Sequence, residues 1–193
     1  STDGVYSLTA RTLELGASYI SALGMWDVAR PHMEELVAVT RESSSMAQLD
    51  GSDIVYVARV AVPKIIALVV TIGTRFPAVA TSMGRVLLAD LDPDDLDRVL
   101  ALGSESGVVP RVDPARADLD RVLAEVRQQG FAVSDEQLSV GIRSVAAPVR
   151  DASGVVVAAL NVTVHAAETS MDTLLGQYLP RLLAASEALT EEW

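Results

Sequence analysis

Two apolar, Val-rich runs with one polar break between them constrain this chain more than any other feature. Residues 130–163 read GFAVSDEQLSVGIRSVAAPVRDASGVVVAALNVT. Asp151, Ser153 and Gly154 cluster at the break, and Gly154 can take the positive φ that a hairpin turn often needs. The stretch is therefore predicted to be a β-hairpin with its turn at residues 151–154, and a sheet core follows from it. A two- or four-residue loop sets Ser144 opposite Asn161 and Ile142 opposite Thr163 on one face. A one-residue slip would put Arg143 opposite Asn161 instead. The other side of the second strand, Val156, Ala158, Leu160 and Val162, carries no polar group and suits a core. The face with Ser144, Asn161 and Thr163 places polar groups among apolar neighbours, where a ligand could meet them.

The remaining segments supply the partners for that sheet. The chain has 193 residues and is half hydrophobic, enough for one domain, or one domain with an appendage, around a substantial core. Residues 5–8 resemble a strand end, and Thr9 suits the N-cap of a helix through Leu13, Ala17, Ile20 and Leu23. After Gly24 a second helix is predicted over 26–40 from the spacing of Val28, Pro31, Met33, Leu36 and Val37, with Pro31 tolerable only near the first turn. Asp50-Gly51-Ser52-Asp53 between 45–49 and 54–60 predicts a second hairpin. A buried strand is expected over 65–72, then a loop over 73–77. Residues 80–91 read as a helix capped by Thr81 or Ser82, whose free amides and dipole would suit an anion. Asp92 and Pro93 open a helix through Leu102, another spans 114–129 and ends at Gly130, and a last one covers 168–193. The order gives an α+β fold with an antiparallel sheet.

Charge and motifs exclude several classes of function. A net charge of −11 gives this segment no basic face to neutralise phosphates or to sit on an acidic membrane. No run approaches the ~18 apolar residues of a membrane span, so a cytoplasmic protein is expected. There is no cysteine, hence no disulfide, thiolate metal site or cysteine nucleophile. His32 falls on a surface-type helix and His165 just past a strand, and no nucleophile elbow marks a partner for either. Asp92, Asp94, Asp95 and Asp97 lack the Gly and Glu of a calcium loop, and no glycine-rich nucleotide motif occurs. No catalytic residue, metal or cofactor is assigned. A small-molecule pocket remains, with Ser144, Asn161 and Thr163 as floor, residues 134–139 as lid, and Leu68, Phe76, Ser82 and Met83 as far wall. Asn161 and Thr163 would equally suit a solvent-facing sheet surface. Arg59, Arg75, Arg143 and Arg150 are candidates to meet a carboxylate, or ordinary surface charges.

The blocks LTARTLELG, ARVAVPKIIALVVTIGTRFPAVATSMGRVLLA, GFAVSDEQLSVGIRSVAAPV and DASGVVVAALNVT together resemble the effector-binding region of IclR-type bacterial transcriptional regulators, nearest their PcaR/PcaU branch, over almost the whole chain. The resemblance implies a GAF-like domain, an antiparallel sheet of about five to six strands with flanking helices. Residues 1–24 would be the end of a wing and a linker helix, and residues 25–193 the effector-binding domain. A winged helix-turn-helix not in this sequence would make the DNA contacts. The implied effector is a small organic acid, β-ketoadipate or protocatechuate favoured, sensed by a homodimer or tetramer. Family contact positions fall on Leu68, Phe76, Ser82, Met83, Ser134, Ile142, Ser144, Asn161 and Thr163. Ser134 stands where the family often has Asp, which would remove repulsion against a dicarboxylate, and Gln137 stands where its signature has Glu. An enzyme acting on a small carboxylate and a dimerisation module with a vestigial pocket are the competing classes.

Overall fold

The computed structural model describes residues 24–63 and 70–192, with the single positions 9, 11, 14 and 16. Expectations for residues 5–8, for the linker helix through Leu23, and for Leu68 lie outside the described residues. The chain runs α1 (Met25–Thr40), β1 (Ser43–Asp50), β2 (Asp53–Val60), β3 (Arg75–Pro77), a 3-10 turn (Ala78–Ala80), α2 (Ser82–Asp90), α3 (Pro93–Leu100) and α4 (Arg116–Gln129). It continues through β4 (Ala132–Asp135), β5 (Ile142–Arg150), β6 (Val156–His165), a short α5 (Met171–Thr173), a π-helical segment (Leu174–Tyr178) and α6 (Leu179–Glu192). Six strands form one sheet in the order β3-β2-β1-β6-β5-β4, each neighbouring pair antiparallel. This is the α+β architecture expected.

Each face of the sheet carries a core. Met33 and Leu36 of α1 and Leu182 and Leu189 of α6 pack on Met46, Val145, Ala147, Leu160 and Val162. On the other face Met83, Val86 and Leu87 of α2 and Leu123 of α4 pack on Ala47, Tyr56, Phe76, Ala146 and Ala159. Small residues on β5 and β6 let α2 come close to the strands, which brings its first turn against the sheet. Thr81 caps that turn, its Oγ1 accepting from the Gly84 amide at 3.0 Å. Thr81→Val should cost about 1 kcal/mol, read from the urea midpoint, because one first-turn donor loses its acceptor.

Two bulges decide which side chains share a face. Between Met46 and Ala47 the β1–β2 register shifts, so that Met46 pairs with Ala58 and Ala47 with Tyr56. Val57 is the extra residue. Val57 and Ala58 both pack on the α1 side, while Tyr56 and Arg59, three positions apart, come to the α2 side. A second irregularity falls between Val149 and Arg150.

That second bulge corrects the predicted hairpin register. Ser144 faces Thr163, Ile142 faces His165, and Asn161 faces Ala146. The loop occupies residues 151–155, closed by Asp151 N–H donating to Val155 O at 3.0 Å, and is longer than the turn expected. The Asp151 carboxylate accepts from the Ser153 hydroxyl and from the Ser153 and Val155 amides, which holds it below the usual carboxylate range. A displacement by two positions keeps the side chains before the bulge on their predicted faces, so Ser144, Asn161 and Thr163 remain together. Val156, beyond the bulge, packs toward α2 instead of joining Ala158, Leu160 and Val162.

Other expectations change for local reasons. Residues 70–72 are not strand, and the edge strand is Arg75–Pro77, within the predicted loop. Tyr56 N–H donates to Thr74 O and Gly73 N–H to Tyr56 O, which lays that segment on β2. Pro77 is tolerated there because the edge needs no further donor. Pro31 sits well inside α1, on its exposed side, where the carbonyl it leaves unpaired meets water. The last helix starts at Met171 behind the Ser170 cap, and its π segment ends two residues before Pro180, whose missing N–H interrupts α-helical bonding.

Candidate functional site

A cavity opens between the sheet and the N-terminus of α2. Its wall is set by strand register. One row across the sheet is Ser134, Ser144, Thr163 and Ser43, a hydroxyl from each of β4, β5, β6 and β1. The next is Ala132, Ala146, Asn161, Ser45 and Arg59. The alanines leave room, and the polar residues of both rows border the space.

Protein partners already satisfy most of this wall. Ser82 and Ser144 share a hydroxyl–hydroxyl bond of 2.8 Å, and Ser134 Oγ donates to Ala80 O at 3.0 Å. Ser43 Oγ accepts from Val62 N–H at 3.0 Å. A polar chain runs Arg59 Nη1 to Ser45 Oγ (2.9 Å), Ser45 N–H to Asn161 Oδ1 (3.0 Å) and Asn161 Nδ2 to Thr163 Oγ1 (3.0 Å). Asn161 is 2% exposed, so its amide acts as a clasp between β1 and β6 while one N–H has no partner among the described residues. The Ser82 and Met83 amides have no partner among the described residues, and the positive end of α2 faces the cavity with them.

Burial pushes the Arg59 guanidinium below its usual range. Burial also pushes the Tyr56 hydroxyl up to about 12, a rise that the Arg59 charge partly offsets. Arg85, buried in α2, donates to Val79 O and Val133 O, both at 3.0 Å, and so ties the 3-10 turn and β4 to the helix behind the cavity.

Of the residues singled out in the sequence, Arg59, Ser82, Met83, Ser134, Ile142, Ser144, Asn161 and Thr163 come together around the cavity. Phe76 does not. It is buried edge-to-face on Tyr56, ring centroids 5.8 Å apart, because β3 places it in the core behind the wall. Arg75 pairs with Asp50 and Asp53 at the β2–β3 edge, and Arg143 with Asp135 and Thr169 O. Arg150 is held by Asp90 and the Gly154 carbonyl. Those three cations are engaged away from the cavity.

Sequence reasoning missed Glu42, Ser43, Tyr56, Val62, Val70 and His165, which also border it, while Leu138 comes from the expected lid. Three consecutive serines at 43–45 were a usable signal, since two of them face one side of a strand. His165 is the last residue of β6 rather than beyond it. Its Nδ1 accepts from Ala167 N–H at 3.2 Å, and its Nε2 packs so close to Gly141 that a Cβ there would lie 2.9 Å away. The lid residue Glu136 takes a left-handed conformation at φ 54°, fixed by Gly141 N–H donating to its carboxylate at 2.8 Å. Next to it, buried Gln137 Oε1 has no hydrogen-bond partner among the described residues.

The wall is rich in donors. Among the described residues neither Ser82 nor Ser144 is hydrogen-bonded to a histidine or carboxylate, and no group of three His, Asp or Glu could hold a metal ion. No helix among them is long and apolar enough to cross a membrane.

The family described as bacterial transcriptional regulator IclR C-terminal matches residues 17–191. The Pca regulon regulatory protein of Pseudomonas putida is 38% identical over 188 residues, 97% of this chain and 65% of that protein. A crystal structure of a transcriptional regulator from Rhodococcus sp. RHA1 is similar at 46% identity and TM-score 0.87, over 96% of this chain and 76% of that one. The inducer-binding domain of the PobR transcription factor from Acinetobacter, a double mutant solved with 3-hydroxybenzoic acid, is 30% identical with TM-score 0.75, over 85% of this chain and 96% of that one. The chain thus spans about two thirds of the Pseudomonas protein's length.

Proposed function

Because the chain belongs to the IclR family of bacterial transcriptional regulators and matches its C-terminal region, we propose that its cavity senses a small organic acid from aromatic-compound catabolism, without chemistry on it. The observation that carries this reading is a partly enclosed, donor-rich wall. Free amides at the start of α2, a half-buried guanidinium and a row of hydroxyls converge on a space that lacks a nucleophile–base pair among the described residues. Such sites hold a ligand by a few placed polar groups and enclose the rest of it with apolar ones, here Met83, Ile142 and Leu138.

The similarity to the Pca and PobR proteins supports an aromatic or ring-cleavage acid, with protocatechuate and β-ketoadipate favoured and a hydroxybenzoate beside them. In the full protein a separate N-terminal part would bind DNA. That fits the acidic net charge of −11 here, and residues 1–24 would join the two parts. Assembly as a homodimer or tetramer would bring two DNA-binding parts to one operator. Signalling requires that the ligand bind one arrangement of the joined parts better than another, since equal affinity shifts nothing.

A thermal-shift panel of protocatechuate, β-ketoadipate, 3- and 4-hydroxybenzoate, glyoxylate and pyruvate tests this. One of the first four should raise the unfolding midpoint, by the equivalent of about 2.7 kcal/mol at 100 times its dissociation constant, and be recovered unchanged. No stabilisation by any of them would favour a dimerisation module with an idle pocket. Conversion of the acid would favour an enzyme.

A further inference from the structure

Tyr56 is 6% exposed, borders the cavity, and has no hydrogen-bond partner for its hydroxyl among the described residues. The hydroxyl is not fully enclosed and reaches the cavity, where a bound molecule can accept its hydrogen bond. Beside it lies Arg59, half-buried, with one N–H committed to Ser45 Oγ and no ion pair among the described residues. The stretch 64–69 contains no Asp or Glu that could supply one.

Regular pairing would point residues 56 and 59 to opposite faces. The bulge at Val57 places both on the cavity side, and bulges often serve to re-aim a side chain in this way. Both groups are also held. The Tyr56 ring is set edge-to-face against Phe76, and Arg59 is anchored through Ser45 to the Asn161 amide. An oriented hydroxyl donor beside an unpaired guanidinium, in a partly desolvated wall, has the chemistry of a carboxylate receptor.

We infer that Tyr56 and Arg59 together form the carboxylate-binding pole of the cavity, Arg59 donating to the ligand carboxylate and Tyr56 donating its hydroxyl to the same group. The pole at the Ser82–Ser144 hydroxyl pair and the free amides of α2 then meets a second polar group. The ligand class is a carboxylic acid carrying a further hydroxyl or carboxyl. This rests on the sensing function proposed above.

Calorimetric titration of the chain with protocatechuate, 3-hydroxybenzoate and β-ketoadipate, and with 3-hydroxybenzamide as the uncharged counterpart, separates the two ideas. Tyr56→Phe should weaken whichever acid binds by roughly 10-fold and Arg59→Met by roughly 100-fold, as expected for charge-assisted hydrogen bonds in a partly buried site. Arg59→Lys should recover part of the loss. The double variant should lose less than the product of the two, because both groups act on one carboxylate. Binding of 3-hydroxybenzamide, weaker from the start, should stay within about 3-fold across all variants. Tyr56→Phe keeps the ring and its packing, so its result stands even if Arg59→Met folds poorly. Acid affinity unchanged in both Tyr56→Phe and Arg59→Lys overturns the assignment and leaves the sensor reading intact. Failure of all three acids to bind the unaltered chain overturns both.

Discussion

Gly84→Ala is expected to destabilise the chain by about 3 kcal/mol or more, although alanine is the better helix former by about 1 kcal/mol. A Cβ on Gly84 would lie 2.1 Å from the Ala78 carbonyl oxygen and 2.4 Å from the Ala78 Cα. These are backbone atoms of the 3-10 turn, and no rotamer change can relieve them. Either the turn or α2 must move. Both are fixed, since Arg85 in the same helix donates to Val79 O in that turn and Thr81 caps the helix from its end. Movement of α2 would carry the Ser82 and Met83 amides away from the wall, so ligand affinity should fall together with the urea midpoint. A variant as stable as the parent would mean that helix and turn do not approach so closely.

The second large effect is a loss of stability in alkali that belongs to Tyr56. In the unfolded chain its hydroxyl ionises near pH 10, while in the folded protein burial pushes it up to about 12. Between those values the unfolded state gives up a proton that the native state keeps. The contribution is therefore fully present below about pH 10 and is lost as pH rises toward 12, amounting to roughly 2–3 kcal/mol. Arg85, pushed downward by its burial, changes stability in the opposite sense in alkali and would mask the effect in a single profile. Comparison of urea midpoints between the parent and Tyr56→Phe at pH 8, 10 and 11.5 removes that contribution, because both chains keep Arg85. The Tyr56→Phe variant should hold its relative stability while the parent loses ground. Parallel profiles would show that the hydroxyl is solvated.

The sequence carried the faces of the sheet better than its registers. Asn161 and Thr163 stand at alternate positions of one run, so their shared side of the strand was legible whatever the loop length, and the even displacement of the register kept Ser144 with them. The loop itself was not, because Asp151 organises five residues through its carboxylate and nothing in the composition distinguishes that from a tighter turn. Bulges are silent for the same reason. Val57 looks like any strand valine, yet it decides that Tyr56 and Arg59 are neighbours, which is why Tyr56 escaped notice and Arg59 stood as one of several candidate arginines. Phe76 was misplaced into the wall because the Gly73-Thr74 break reads as a loop. Backbone bonding of Tyr56 to Thr74 and Gly73 instead makes residues 75–77 an edge strand that buries the ring. Pro180 stands in the last helix where an uninterrupted helix was expected, and its place after the π segment was not drawn from the sequence.

Whether the cavity beneath α2 is where an effector sits can be read residue by residue. Protocatechuate, β-ketoadipate and the hydroxybenzoates should be titrated into the isotope-labelled chain while backbone and side-chain amide resonances are followed. The Ser82 and Met83 amides and the Asn161 side-chain amide should shift together and saturate at the same ligand concentration, with residues 132–135 shifting in parallel. Saturable shifts confined to the groove of His32, Val39 and Arg181 between α1 and α6, with the α2 amides unmoved, would contradict the account.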